Sequence, residues 1–109
     1  MQASRETELL NAIGLQLREI MPESAIAITA DGEGADDWAD VSFRFVDANG
    51  TVGHFSMQEN PAEASDEISE ALMELHQLMA KTGKGAWTRA EVTVDKGGEL
   101  DVSFAYEDA

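Results

Sequence analysis

Apolar residues recur at helical spacing in two separate segments of the chain. The first segment is predicted to be a helix that Ser4 caps, that runs to about Ile20 and that Pro22 ends. The second begins at Asn60-Pro61-Ala62-Glu63, a typical helix start, and runs to about Ala80. The apolar stripe of the first helix comprises Leu9, Leu10, Ile13, Leu17 and Ile20, and that of the second comprises Ala64, Ile68, Ala71, Leu72, Leu75, Leu78 and Met79. Each helix therefore has one face suited to packing on a single neighbouring layer.

The rest of the chain alternates between apolar and polar residues, as half-buried strands do. Residues 24–30, 41–46 and 51–55 are predicted strands, and residues 31–40 between the first two are predicted to be a loop. After the second helix, two alternating runs flank Asp95-Lys96-Gly97-Gly98 and predict a β-hairpin. The order α-β-β-β-α-β-β predicts one α+β domain over residues 1–109, a two-layer fold with a mainly antiparallel five-stranded sheet and two helices on one face.

The sheet face turned away from the helices is predicted to be polar. On the closing hairpin it is expected to carry Trp87, Arg89, Glu91, Thr93, Asp101 and Ser103.

Charge narrows the possible partners of such a domain. The chain has 22 acidic and seven basic residues, a net charge of −15. Nucleic acids and anionic membranes should repel it, whereas a basic protein should be attracted. No segment is apolar over the length of a membrane span or a signal peptide, so neither is expected. The alternative that the acidity only maintains solubility stays open.

The acids concentrate in two places. Residues 31–40 contain five acids and one tryptophan, and the second helix has a row of glutamates at helical spacing. We predict that these two clusters contact a partner, because an aromatic side chain among acids is typical of an interface. The predicted partner-binding residues are Asp31, Glu33, Asp36, Asp37, Trp38, Asp40, Glu63, Glu67, Glu70 and Glu74.

Catalytic chemistry has little support in the sequence. The chain has no cysteine and no serine in a nucleophile elbow, and His54 and His76 are predicted to be surface or edge residues. Counted from Asp31, a calcium loop of the EF-hand type would need glycine at Asp36 and glutamate at Ser42, so that motif is absent. A looser divalent-cation site in residues 31–40 remains an alternative. We expect no enzymatic activity and no cofactor.

The closing hairpin carries a more specific pattern. It combines Ala86-Trp87-Thr88, Val92-Thr93-Val94-Asp95, Gly98, Asp101 and a terminal Phe104-x-Tyr106-Glu107-Asp108, with Ile20-Met21-Pro22-Glu23 after the first helix. In this respect the chain resembles the YezG-like antitoxin/immunity family of bacterial polymorphic toxin systems. The resemblance implies that Trp87, Phe104 and Tyr106 mainly stabilise the fold.

The resemblance also implies a function. Such a protein would be a cytoplasmic immunity protein that binds and neutralises a cognate toxin domain, a basic nuclease or another toxin that targets nucleic acid. The partner would then be that toxin, with neither nucleic acid nor membrane bound, and the chain would be a monomer or a heterodimer with the toxin. The alternative is a small acidic adaptor or regulatory domain without a toxin partner.

Overall fold

The computed structural model describes residues 5–34, 39–55, 61–81 and 87–106, which contain two helices and five strands. In chain order these elements are α1 (Arg5–Ile20), β1 (Ala25–Gly34), β2 (Ala39–Asp47), β3 (Val52–Gly53), α2 (Ala62–Lys81), β4 (Trp87–Asp95) and β5 (Leu100–Tyr106). The predicted order of elements and the α+β class are therefore confirmed. Ser4 and Asn60, the two predicted helix caps, lie outside the described residues.

The five strands form one antiparallel sheet in the order β3-β2-β1-β4-β5. β1 lies in the middle, where Ile28 pairs with Phe45 on one side and with Val94 on the other. Directly paired residues of neighbouring strands project to the same face of a sheet, so these three apolar residues share one face. The sheet therefore has one apolar face and one polar face.

Both helices pack on the apolar face, α1 above β4 and β1, and α2 above β2 and β1. The core between the two layers consists of buried residues from both helices and three strands. They are Leu9, Ile13, Leu17, Ile28, Ala30, Phe43, Ile68, Leu72, Leu75, Met79, Trp87, Ala90, Val92 and Val94. The predicted helix stripes supply the helical part of this set.

The prediction that residues 31–40 form a loop is wrong at both ends of the segment. β1 continues to Gly34 and β2 begins at Ala39, with Asp31 paired to Ser42 and Glu33 paired to Asp40. Acidic residues lower strand propensity, but here they alternate with glycines and all lie on the open face, away from the core. In contrast, β3 has only two residues instead of the predicted five. The ring of Phe55, beyond the end of this strand, packs on Phe43 and Phe45.

Trp87 does not lie on the open face, as strict alternation predicted, but is completely buried. An irregularity between Trp87 and Arg89 shifts the pairing of β4 with β5, so that Thr88 and Arg89 are both exposed. The indole packs against Phe104, with ring centroids 5.6 Å apart. The structural role that the resemblance implies for Trp87 fits this position.

His76 is also buried, contrary to the prediction of a surface or edge position. Its ring contacts Trp87 in an edge-to-face arrangement, with centroids 5.1 Å apart. His54 is exposed as predicted, and its Nδ1 lies 3.3 Å from the carbonyl oxygen of Phe43.

Gly32 marks the closest approach of α2 to the sheet. A β-carbon at this position would lie 2.5 Å from Cδ1 of the buried Leu72. We expect Gly32→Ala to destabilise the protein by about 1–3 kcal/mol, since the buried Leu72 would have to shift away from the new β-carbon. Urea unfolding measures the change. Gly97→Ala is the control, because its β-carbon would meet only Asp95 Oδ1 at 3.4 Å; equal stability of the two variants would show that Leu72 repacks freely.

Candidate protein-binding surface

The acidic residues predicted to bind a partner lie on two different faces of the molecule. Asp31, Glu33 and Asp40 are on the open face of the sheet. Glu63, Glu67, Glu70 and Glu74 are exposed on α2, in the helical layer. Asp36, Asp37 and Trp38 lie outside the described residues. Since the sheet separates the two groups, they do not form one continuous surface.

Asp31 is the centre of an ion-pair network on the open face. Arg89 donates to both of its carboxylate oxygens, from Nε at 3.1 Å and from Nη2 at 2.9 Å. Arg44 approaches the same carboxylate with Nη1 at 3.4 Å and donates from Nη2 to Glu91 at 3.2 Å. The side chain of Asp31 is only 15% exposed. The carboxylate of Asp31 therefore holds the two arginines in place and is poorly accessible to a partner protein.

The same network sets the ionisation of its members. Hydrogen bonds from Arg89, together with the charges of Arg89 and Arg44, hold the pKa of Asp31 below its usual value, although partial burial opposes the shift. In return, the hydrogen bond and charge of Asp31 raise the pKa of Arg89. Asp31 consequently stays ionised well into the acidic range.

Beside this network lies a small polar hollow. It has a volume of about 110 Å³ and is lined by Asp31, Glu33, Asp40, Ser42 and Arg89. Glu33 and Asp40 are exposed, and their side chains form no hydrogen bond or ion pair with other described residues. The hollow has room for the tip of one basic side chain and for little more.

The acids of α2 form a second, convex surface, the α2 ridge, consisting of Glu63, Asp66, Glu67, Glu70 and Glu74. Two of them contact α1. Arg5 donates to both carboxylate oxygens of Glu74, from Nη2 at 2.9 Å and from Nε, and its hydrogen bond lowers the pKa of Glu74. Gln16 donates to Glu67. The other three acids make no such contact within the described part of the chain.

The two surfaces differ in how far their charge is neutralised. On the open face, two arginines lie among the acids of the central strands. On α2 no lysine or arginine occurs from Ala62 to Ala80, and among the described residues Arg5 of α1 is the cation that contacts the ridge. The α2 ridge is therefore the more strongly negative of the two surfaces.

Metal binding has no visible support in the described ranges. There, no three side chains among histidine, cysteine, aspartate and glutamate lie close enough together to hold an ion. No described helix has the length and apolarity that crossing a bilayer requires.

Comparison with known proteins adds no relative. No family model matches the chain, and no curated protein matches it.

Sequence reasoning missed the ion-pair network because it treated residues 31–40 as a loop. With β1 extended to Gly34, Asp31 pairs with Ser42 of β2 and with Glu91 of β4. Arg44 and Arg89 each lie two residues along from these partners, on the same face and diagonal to Asp31. The signal was present in the alternation of glycine with acid at residues 31–34, which keeps every acid on the same face.

Asp31→Asn should lower the free energy of unfolding by about 1 kcal/mol at neutral pH, since it removes the charge that both arginines contact. The pKa of Asp31 is depressed in the folded state, so its contribution is complete above the unfolded value of about 3.9 and is lost as pH falls through the folded pKa. The difference between wild type and variant should therefore shrink in acid. Denaturant unfolding at several pH values measures it.

Asp40→Asn is the matched control, since this exposed aspartate lines the same hollow without an ion pair. It should leave stability unchanged or raise it slightly by reducing repulsion. If both variants lose the same stability at neutral pH, the network around Asp31 has no special role.

Proposed function

We propose that this protein binds a basic protein partner in a stoichiometric complex and thereby neutralises it. The resemblance at the closing hairpin points to a cognate bacterial toxin that acts on nucleic acid. The observation that supports this function best is the α2 ridge, where five acids project from one convex helix that has no lysine or arginine before Lys81.

The shape of the ridge suits such a partner. A helix is about 10–12 Å in diameter with its side chains, and its exposed acids recur at every turn. An enzyme that cleaves nucleic acid presents basic side chains to phosphates, usually within a cleft. An acidic helix that enters this cleft would engage the same basic side chains and exclude the substrate.

The open face fits this role less well. Asp31 and Glu91 already contact Arg44 and Arg89, so a partner's lysine or arginine would compete with existing ion pairs. Glu63, Asp66 and Glu70 on the ridge can accept new hydrogen bonds without breaking any to the described residues. We therefore place the main contact on the ridge and not on the open face.

The general function is tested by co-expression. The product of the neighbouring toxin gene should kill cells when expressed alone and should not kill when this protein is expressed with it. Killing that continues while both proteins are present and folded would exclude the immunity function.

The contact surface is tested by charge reversal. The double variant Glu63→Lys/Glu70→Lys should weaken toxin binding at least about tenfold, because like charges would then face each other. Both side chains are exposed, so the fold should be preserved. Isothermal titration calorimetry at two salt concentrations measures the affinity, which should fall as salt rises.

The matched control is Glu33→Lys/Asp40→Lys, which changes net charge equally but lies on the open face. It should retain most of the affinity. An equal loss in both variants would mean that only total charge matters, and a loss in the control alone would move the contact to the sheet.

A further inference from the structure

The two edges of the sheet are very different. β3 closes one edge with only two residues, whereas β5 presents seven residues at the other. Long edge strands are usually protected by lysine, proline or a bulge, because their free backbone groups pair readily with another strand. β5 has the sequence LDVSFAY, with neither lysine nor proline. No strand among the described residues pairs with its outer side, so within them β5 is an open edge.

The register of the hairpin shows which backbone groups of β5 point away from β4. Asp95 donates its N–H to the carbonyl oxygen of Glu99, which starts the alternation of hydrogen-bonded pairs in this hairpin. With the observed register, Asp101 and Ser103 direct their backbone groups toward β4. Val102 and Phe104 then direct theirs outward, away from the sheet.

Apolar surface accompanies these free groups. Leu100, Val102 and Phe104 face the helical layer but are only half-buried, since α1 lies above β4 and β1. Leu15 of α1 is 65% exposed and Tyr106 is 47% exposed. A groove of about 310 Å³ runs between α1 and the sheet at this edge, lined by Gly14, Leu15, Val94 and Leu100 among others.

We propose that two copies of this chain pair through β5, antiparallel about a twofold axis at Ser103. Ser103 is the middle residue of β5, so this is the register that pairs all seven residues. It places Val102 opposite Phe104 of the second copy, with their outward backbone groups facing each other. It also brings Tyr106 of the second copy next to Leu100, where its ring fills the groove beside Leu15.

Charge does not oppose the pairing within β5. In the proposed register Asp101 of the second copy lies opposite the small, uncharged Ala105, so no acid of β5 faces an acid of the other β5. A hollow lined by Arg89, Glu91, Ser103 and Ala105 leaves space on the open face beside this position.

The pairing is independent of the proposed function. β5 and α2 lie at different places in the fold, so each copy keeps its α2 ridge exposed, and the dimer is measured without any toxin. It differs from the expectation of a monomer or a heterodimer.

Sedimentation velocity over a range of concentrations tests the proposal. At about 1 M salt the screening length is about 3 Å, so repulsion between two copies of charge −15 is suppressed. A concentration-dependent species with twice the 11.8 kDa of one chain is expected. A single 11.8 kDa species up to millimolar concentration would overturn the proposal.

Ser103→Asp tests the seam itself. Ser103 is exposed in the single chain, but the twofold axis would set the two new carboxylates directly against each other. The dissociation constant should rise at least about tenfold at low salt. Ser103→Lys should do the same, and an equal mixture of the two variants should restore the dimer, because opposite charges then meet. Failure of the mixture to dimerise would contradict this register.

Ala48→Asp is the matched control, because it adds the same charge at an exposed position in the turn between β2 and β3, at the opposite edge of the sheet. It should leave the dimer unchanged. An equal effect of Ala48→Asp and Ser103→Asp would overturn the seam, whatever the total mass. Tyr106→Ala should weaken the dimer several-fold while circular dichroism remains that of the wild type, and an unchanged dissociation constant would exclude Tyr106 from the groove.

Discussion

The close contact between α2 and the central strand is the interaction on which the rest of the structure depends. Leu72 lies directly over Gly32, where no side chain fits between helix and sheet. β1 in turn pairs with both β2 and β4, so its apolar face sets the orientation of its neighbours. With the helices on one side, alternation sends Asp31 and Glu33 to the other side, and the polar face follows directly from the packing of the apolar one.

Periodicity predicted the helices and the hairpin well, because each buries a regular stripe that the sequence displays directly. Periodicity failed where strand pairing overrode the low strand propensity or the strict alternation of a segment. Residues 31–34 have low strand propensity, yet pairing on both sides keeps them extended. Strict alternation predicted Trp87 on the open face, but an irregular pairing between β4 and β5 places its side chain in the core beside His76. Neither effect is encoded within the segment itself, since both arise from neighbouring strands and helices.

The same limit applies to the acidic surfaces. Composition identified the clusters but not their internal partners, because those partners are far apart in sequence. Arg89 and Asp31 are 58 residues apart, and Arg5 and Glu74 are 69 apart. Among the described residues, Arg5, Arg44 and Arg89 form ion pairs with acids that are distant in sequence. These few arginines hold particular acidic side chains in place, and acids without such a partner remain on the exposed side of α2.

The unequal edges of the sheet also bear on how far such a chain can assemble. A sheet with two long open edges can add copies at both ends and grow into a fibre. Here the second edge is a strand of two residues, and Phe45 lies against the backbone of Gly53 within it. β3 therefore does not offer the strand that β5 offers. The pairing proposed for β5 uses the same edge in both copies, so it closes at two and leaves no second β5 edge from which to continue.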